Sequence, residues 1–108
     1  MRNTTDEGLR VEIAPDRERV TVRVVGEIDL ATAPEIERPV VELLDSGFEH
    51  VVLDLHGVTF MDSSGIRVLI STHQHAEARG ARLSITIGTS RIRQTLELSG
   101  AFDYLAVS

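Results

Sequence analysis

The chain has 108 residues, enough for one domain that buries a core unaided, and it contains no cysteine, which excludes disulfides, thiolate catalysis and sulfur-bound zinc. Seventeen acidic residues against eleven basic ones give a formal charge of −6, ill suited to a nucleic-acid backbone or an anionic membrane surface. Histidine aside, every basic residue is arginine, which removes P-loop nucleotide hydrolysis, Schiff-base chemistry and a lysine general base together.

Residues 1–8 are polar and are expected to form a flexible end, with a single domain over 9–108. L9-R-V-E-I13 and V20-T-V-R-V24 alternate apolar and polar residues, as strands with one buried face do. The A14-P-D-R-E18 between them is turn-like, so an antiparallel hairpin is expected. G26-E-I-D-L-A-T-A leads into a helix. Thr32 followed by Glu35 fits a capping box, Pro34 suits the first turn, and Ile36, Val40, Leu43 and Leu44 make an apolar stripe ending before Gly47. Pro39 conflicts with that helix and predicts a kink or a late start.

V51-V-L-D-L55 is nearly continuous in apolar residues and reads as a strand covered on both faces. The polar Asp62-Ser63-Ser64-Gly65 follows, and then a helix over 66–79 with Ile66, Leu69, Ile70, His73 and Ala76 at helical spacing and Gly80 as its stop. A81-R-L-S-I-T-I87 alternates again. S90-R-I-R-Q-T-L-E-L-S99 is a last helix, after which Phe102 and Leu105 are expected to dock. Strands separated by helices run parallel. The fold class is therefore a small mixed α/β sheet, an N-terminal antiparallel hairpin followed by parallel βαβα units, with helices packed against it. No apolar run approaches the ~20 residues of a membrane span, and a cytoplasmic protein is expected.

Catalytic chemistry finds little support. His73 and His75 stand two apart on a helix and do not share a face, so they make a poor metal pair, and no metal site is expected. A nucleophile elbow needs glycine two residues before and after its serine, which neither Ser63 nor Ser64 has; the chain is not expected to be an enzyme. Asp54 resembles the phospho-acceptor of receiver domains. However, the acidic pair after the first strand and the late lysine of those domains are both missing. Asp54 is then expected at an edge or hydrogen-bonded to a neighbouring backbone amide.

The remaining candidate is Asp62-Ser63-Ser64-Gly65 itself. Asp or Ser at a helix start accepts hydrogen bonds from the free amides of the first turn, and the same terminus favours an anion. A phosphate on Ser63 adds about −1.5 to −2 charges and can sit there without melting the helix.

G26-E-I-D-L-A-T-A, V51-V-L-D-L55, F60-M-D-S-S-G-I66 and S90-R-I-R-Q-T-L-E-L-S-G100 together resemble the STAS-domain anti-sigma-factor antagonists, in the expected order over about residues 9–107. The resemblance implies a partner-switching protein. Unphosphorylated, it binds an anti-sigma factor that is also a GHKL-type serine kinase, and so releases a sigma factor. Phosphorylation by that kinase, on the residue matching Ser63, ends the complex, and a PP2C-type phosphatase resets it. The resemblance also implies that Asp29 lies near the modified serine and that Asp62, Ser64 and Gly65 shape the recognition loop. It implies no cofactor and leaves the oligomeric state open. Pro39 and I87-G-T-S90 depart from the family pattern without touching the serine motif. A STAS module of another signalling assembly, or one binding a nucleotide or small anion at the same helix start, stays open at this point.

Overall fold

A computed structural model describes residues 2–6, 8–88, 90–105 and 107, with 2–6 and 90 described through their backbone alone. In chain order the elements are β1 (Arg2–Asp6), β2 (Leu9–Pro15), β3 (Val20–Ile28), α1 (Pro34–Asp45), β4 (His50–Met61), α2 (Ser63–Ala78), β5 (Arg82–Thr86) and α3 (Ser90–Ser99). The strands form one sheet in the order β1-β2-β3-β4-β5. β2 and β3 pair antiparallel, while β3–β4 and β4–β5 pair parallel, which is the expected mixed α/β class.

The first difference from the sequence reading is β1. Residues 1–8 are expected as a flexible end, yet Arg2–Asp6 pair with β2 from Arg2↔Ile13 to Asp6↔Leu9. An edge strand is held by backbone hydrogen bonds along one side and needs no apolar face, so R-N-T-T-D carries no hydrophobic alternation to reveal it.

One face of the sheet is the core. Leu9, Val11, Val20, Val22, Val51, Leu53, Leu83 and Ile85 are buried there, in one cluster with Ile36, Val40 and Leu44 of α1, Val68 and Leu69 of α2, and Ile92 and Leu96 of α3. Leu105 joins this cluster and Phe102 packs against it under the Arg93 guanidinium, as expected of the tail. The opposite face is not covered. β4 alternates buried and half-buried residues over 51–55, instead of being buried on both sides as its apolar run suggests.

That open face explains Asp54. Its register partners are Arg23 on β3 and Thr86 on β5, and Arg23 in turn faces Glu12 on β2. One carboxylate oxygen of Asp54 accepts from Arg23 Nε at 3.4 Å. The other accepts from the His56 amide at 3.0 Å and lies 2.7 Å from His56 Nδ1. The expected backbone-amide bond is present, on an interior strand and not at an edge.

The α1 start also differs. Ala33 is the N-cap and receives no side-chain cap bond, so the box expected between Thr32 and Glu35 does not form. It forms one turn earlier, where Thr32 N donates to Asp29 Oδ1 at 3.0 Å and Asp29 N donates to Thr32 Oγ1 at 2.9 Å. A spacing of three residues between an acceptor and a reciprocal partner suits either pair. Asp29–Thr32 prevails because the Glu35 amide donates to the Thr32 carbonyl at 2.9 Å, while the Thr32 hydroxyl is engaged with the Glu27 carbonyl and the Asp29 amide. The helix runs from Pro34 through a buried Pro39, so there is no late start. At its far end Asp45 accepts from Arg79 and pairs with His75 at 2.7 Å, lashing α1 to the end of α2. His73 packs its ring edge-on against Tyr104, so one histidine of the helix is packed and the other paired.

Partial burial works against the Asp54 charge, but the His56 amide, the His56 ring and the Arg23 guanidinium outweigh it and hold the carboxyl below its ordinary 3.8. A carboxyl depressed in this way adds stability above the unfolded value and gives it up as pH falls through the folded one. Asp54→Asn should therefore destabilise the domain by about 1 kcal/mol at neutral pH. The gap to the parent should shrink below about pH 4. Urea unfolding of both proteins at pH 7 and pH 3 checks it.

Candidate functional site

The carboxyl ends of β3 and β4 meet the first turn of α2. Two register shifts, between Arg23 and Val25 and between Gly26 and Glu27, let the end of β3 follow β4 until Ile28 pairs with Met61. Gly26 makes this possible: its φ is +119° and a Cβ would stand 2.0 Å from the Gly8 carbonyl oxygen, so no other residue fits. The Asp62 amide then donates to the Ile28 carbonyl at 3.2 Å, which fixes the point where the strand stops.

Asp62 is extended (φ −104°, ψ −166°) and caps α2 by accepting from Ser64 N at 2.8 Å. Its carbonyl accepts from Gly65 N at 3.1 Å and Ile66 N at 3.3 Å. The aspartate, not a serine, is thus the cap, and it satisfies three of the four amides that open the helix. Only the amide of Ser63 itself is left without an acceptor among the described residues. The anion-holding terminus expected from the sequence is therefore largely occupied by the chain's own carboxylate and carbonyl.

Ser63 is exposed, and its hydroxyl makes none of the hydrogen bonds among the described residues. Ser64 is half-buried behind it. Gly65 is buried, and here packing makes the demand: an added Cβ would lie 2.3 Å from Met61 Cγ, 2.8 Å from its Sδ and 3.0 Å from Ile28 Cγ2. The missing side chain lets the first turn of α2 press onto the ends of both strands.

Asp29 follows Ile28, which brings it to the same end of the sheet as Asp62–Gly65. Its carboxylate serves its own loop. Oδ1 accepts from Ala31 N and Thr32 N, each at 3.0 Å, and the buried Thr32 hydroxyl donates to the Glu27 carbonyl at 2.9 Å. This closed turn leaves Leu30 at its tip, 74% exposed. Phe60, paired with Glu27 in the register, is 44% exposed. Sequence reading overlooked both. The available signal was Asp29-x-x-Thr32, whose reciprocal bonds push the residue after Asp29 outward.

No histidine is hydrogen-bonded to Ser63 among the described residues, and His56 is engaged with Asp54. Those residues also hold no grouping of three metal-ligating side chains, and no helix in them is long and apolar enough to cross a membrane.

Residues 10–108 match the family model described as the STAS domain. The chain is 27% identical over 100 residues to a Staphylococcus aureus protein named anti-sigma-B factor antagonist, with 93% of each chain covered. An anti-sigma factor antagonist from Mycobacterium paratuberculosis superposes with a TM-score of 0.84 at 21% identity, over 96% of this chain and 88% of that one. The anti-sigma factor antagonist SpoIIAA, also 21% identical over 91% of this chain, superposes at 0.76 in its unphosphorylated form and 0.70 in its phosphorylated form, covering 87% and 90% of those chains.

Two substitutions separate the cap from the notch. Asp62→Ala should cost about 1 kcal/mol through the lost cap. Gly65→Ala should cost about 1–3 kcal/mol through overpacking against Met61 and Ile28. Thermal unfolding should place both midpoints several degrees below the parent, with Gly65→Ala at least as low as Asp62→Ala.

Proposed function

The chain belongs to the STAS-domain family, and from that premise we propose that it is an anti-sigma-factor antagonist switched by phosphorylation of Ser63. Unphosphorylated, it binds an anti-sigma factor that is also a GHKL-type serine kinase, and a sigma factor is released. The kinase transfers phosphate to Ser63 and the complex ends. A PP2C-type phosphatase restores the binding form. The protein is a cytoplasmic regulator and itself a substrate, with no chemistry of its own.

The observation that carries this reading is the division of labour at the start of α2. Asp62 does the capping, so the Ser63 hydroxyl stands exposed and uncommitted on a rigid helix. A kinase needs a hydroxyl held in an accessible, fixed position, and this one can be modified without removing any bond that holds the fold. Asp62, Ser64 and Gly65 serve the site by fixing its backbone, and Asp29 by fixing the neighbouring loop.

The same arrangement supports release. With three of the four first-turn amides taken, a phosphate on Ser63 has few donors to fold back upon. It stands outward beside Asp62, where its −1.5 to −2 charges oppose any surface shaped for the neutral serine. Binding of a nucleotide or free anion at this terminus is disfavoured for the same reason.

Purified GHKL-type serine kinases from the source organism, incubated with the chain and ATP, test the proposal. Phosphate should map to Ser63, and Ser63→Ala should accept none. Ser63→Glu should weaken kinase binding at least tenfold while the unfolding midpoint stays within about 2 °C, as surface substitutions do. Modification at another residue, or loss of the fold in Ser63→Glu, would sink the assignment.

A further inference from the structure

We infer that Arg67 is the residue that receives the phosphate on Ser63. Modification then takes a cation away from the surface around the serine as well as adding an anion to it. The inference rests on the reading of Ser63 as the switch and adds what the phosphate bonds to within its own chain.

Both residues belong to α2, one continuous helix from Ser63 to Ala78. Residues four apart on a helix lie one turn apart on the same face, with β-carbons about 5–6 Å from each other. The buried residues of α2 are Gly65, Val68, Leu69, Thr72 and Ala76. At about 3.6 residues per turn these mark one side of the helix, and Ser63 and Arg67 fall close together on the other. Both are exposed. Helical side chains lean toward the N-terminus, so the Arg67 guanidinium is carried back over the turn that bears the serine.

Arg67 has no carboxylate on its own helix to hold it. The positions three and four residues to either side of it are Ser63, Ser64, Ile70 and Ser71. It joins no ion pair and no side-chain hydrogen bond among the described residues. Arg10, Arg23 and Arg79, by contrast, are each paired with a carboxylate.

From the side of the serine the choice is equally narrow. The amides of Ser64, Gly65 and Ile66 are already bonded to Asp62. One turn on, Ile66 brings no side-chain donor, while Arg67 brings a planar fork that matches phosphate oxygens. The Asp62 carboxylate repels the phosphate from the start of the helix, and Arg67 draws it along the outer face. An anion placed N-terminal to a cation at this spacing is the favourable order.

In the modifying step the γ-phosphoryl group of ATP moves to Ser63 Oγ. A P–O bond forms there, the bond to the β-phosphate oxygen breaks, ADP leaves and the hydroxyl proton is released. Before that step a partner covering Ser63 meets a guanidinium open to its own acceptors. After it, the same guanidinium is occupied, which deepens the loss of complementarity.

Phosphoserine inserted at position 63 during translation gives the full modified chain without any kinase. Phosphorus NMR then follows its second ionisation, ordinarily near about pH 6. The parent midpoint should lie about 0.3–0.5 pH units below that of Arg67→Gln, because the guanidinium favours the dianion. Arg67→Lys should recover part of the shift. Arg17→Gln removes the same charge in the turn between β2 and β3, at the opposite end of the sheet, and should match the parent. Unmodified Arg67→Gln should unfold within about 2 °C of the parent. Midpoints of parent and Arg67→Gln that agree within about 0.1 pH units would overturn the capture and leave the Ser63 assignment to the kinase mapping. If the shift is present but the kinases modify another residue or none, the serine reading fails and the pair has no part in a switch.

Discussion

The end of the sheet that carries Ser63 depends on one close approach, the first turn of α2 against Met61 and Ile28 where Gly65 has no side chain. Two strands end at the same height because Ile28 pairs with Met61, and the helix begins two residues later, at Ser63, because Asp62 bonds back to Ile28. Nothing at the site is then left to a long loop. Ser63 inherits its position from the sheet, as a residue on a rigid element does. Because the fit is one of packed atoms, any shift in the helix start is felt directly in the core through Met61.

The sheet beneath is held differently on its two faces. Its inner face is a close-packed aliphatic core shared by all three helices. Its outer face is tied by a row of polar partners, Glu12, Arg23, Asp54 and Thr86, one from each of four neighbouring strands. Parallel strands are generally covered on both sides. Here the exposed side of β3, β4 and β5 is made tolerable by cross-strand charge and hydrogen-bond pairs, each worth a fraction of a kcal/mol. Asp54 is the centre of that row, so it is needed by the sheet itself and has no need of a chemical role.

Much of this was legible in the residues. The period of the apolar positions gave the strands and helices in their right order, and helices between strands required parallel pairing. The serine motif stood out because a polar tetrad between apolar runs has few structural meanings. What was not legible has physical causes. β1 was missed because backbone pairing at an edge leaves no mark in side-chain pattern. The coverage of β4 was overestimated because V51-V-L-D-L55 counts apolar residues without saying which face each one meets. The cap of α1 was misplaced because Asp29-x-x-Thr32 and Thr32-x-x-Glu35 satisfy the same rule, and only tertiary context chooses between them. At the site, the residues Asp29, Asp62, Ser63, Ser64 and Gly65 were picked out together. That Asp62 would take the amides, and that Leu30 and Phe60 would stand in solvent, required coordinates.

The edge strand has a consequence for a protein proposed to exchange partners. A sheet that stops at a strand offers a row of unpaired amides and carbonyls to any passing chain. At the β1 edge of this sheet the last row belongs to R-N-T-T-D, a segment without a single apolar residue and with a charge at each end. Backbone pairing there gains no hydrophobic reward, so a stranger that adds itself to the edge is held weakly. Exposed apolar side chains lie elsewhere, among them Leu30 on the loop after β3 and Phe60 near the end of β4. For a regulator proposed to release its partner, an edge that holds strangers weakly keeps unwanted backbone pairing from competing with the intended contact.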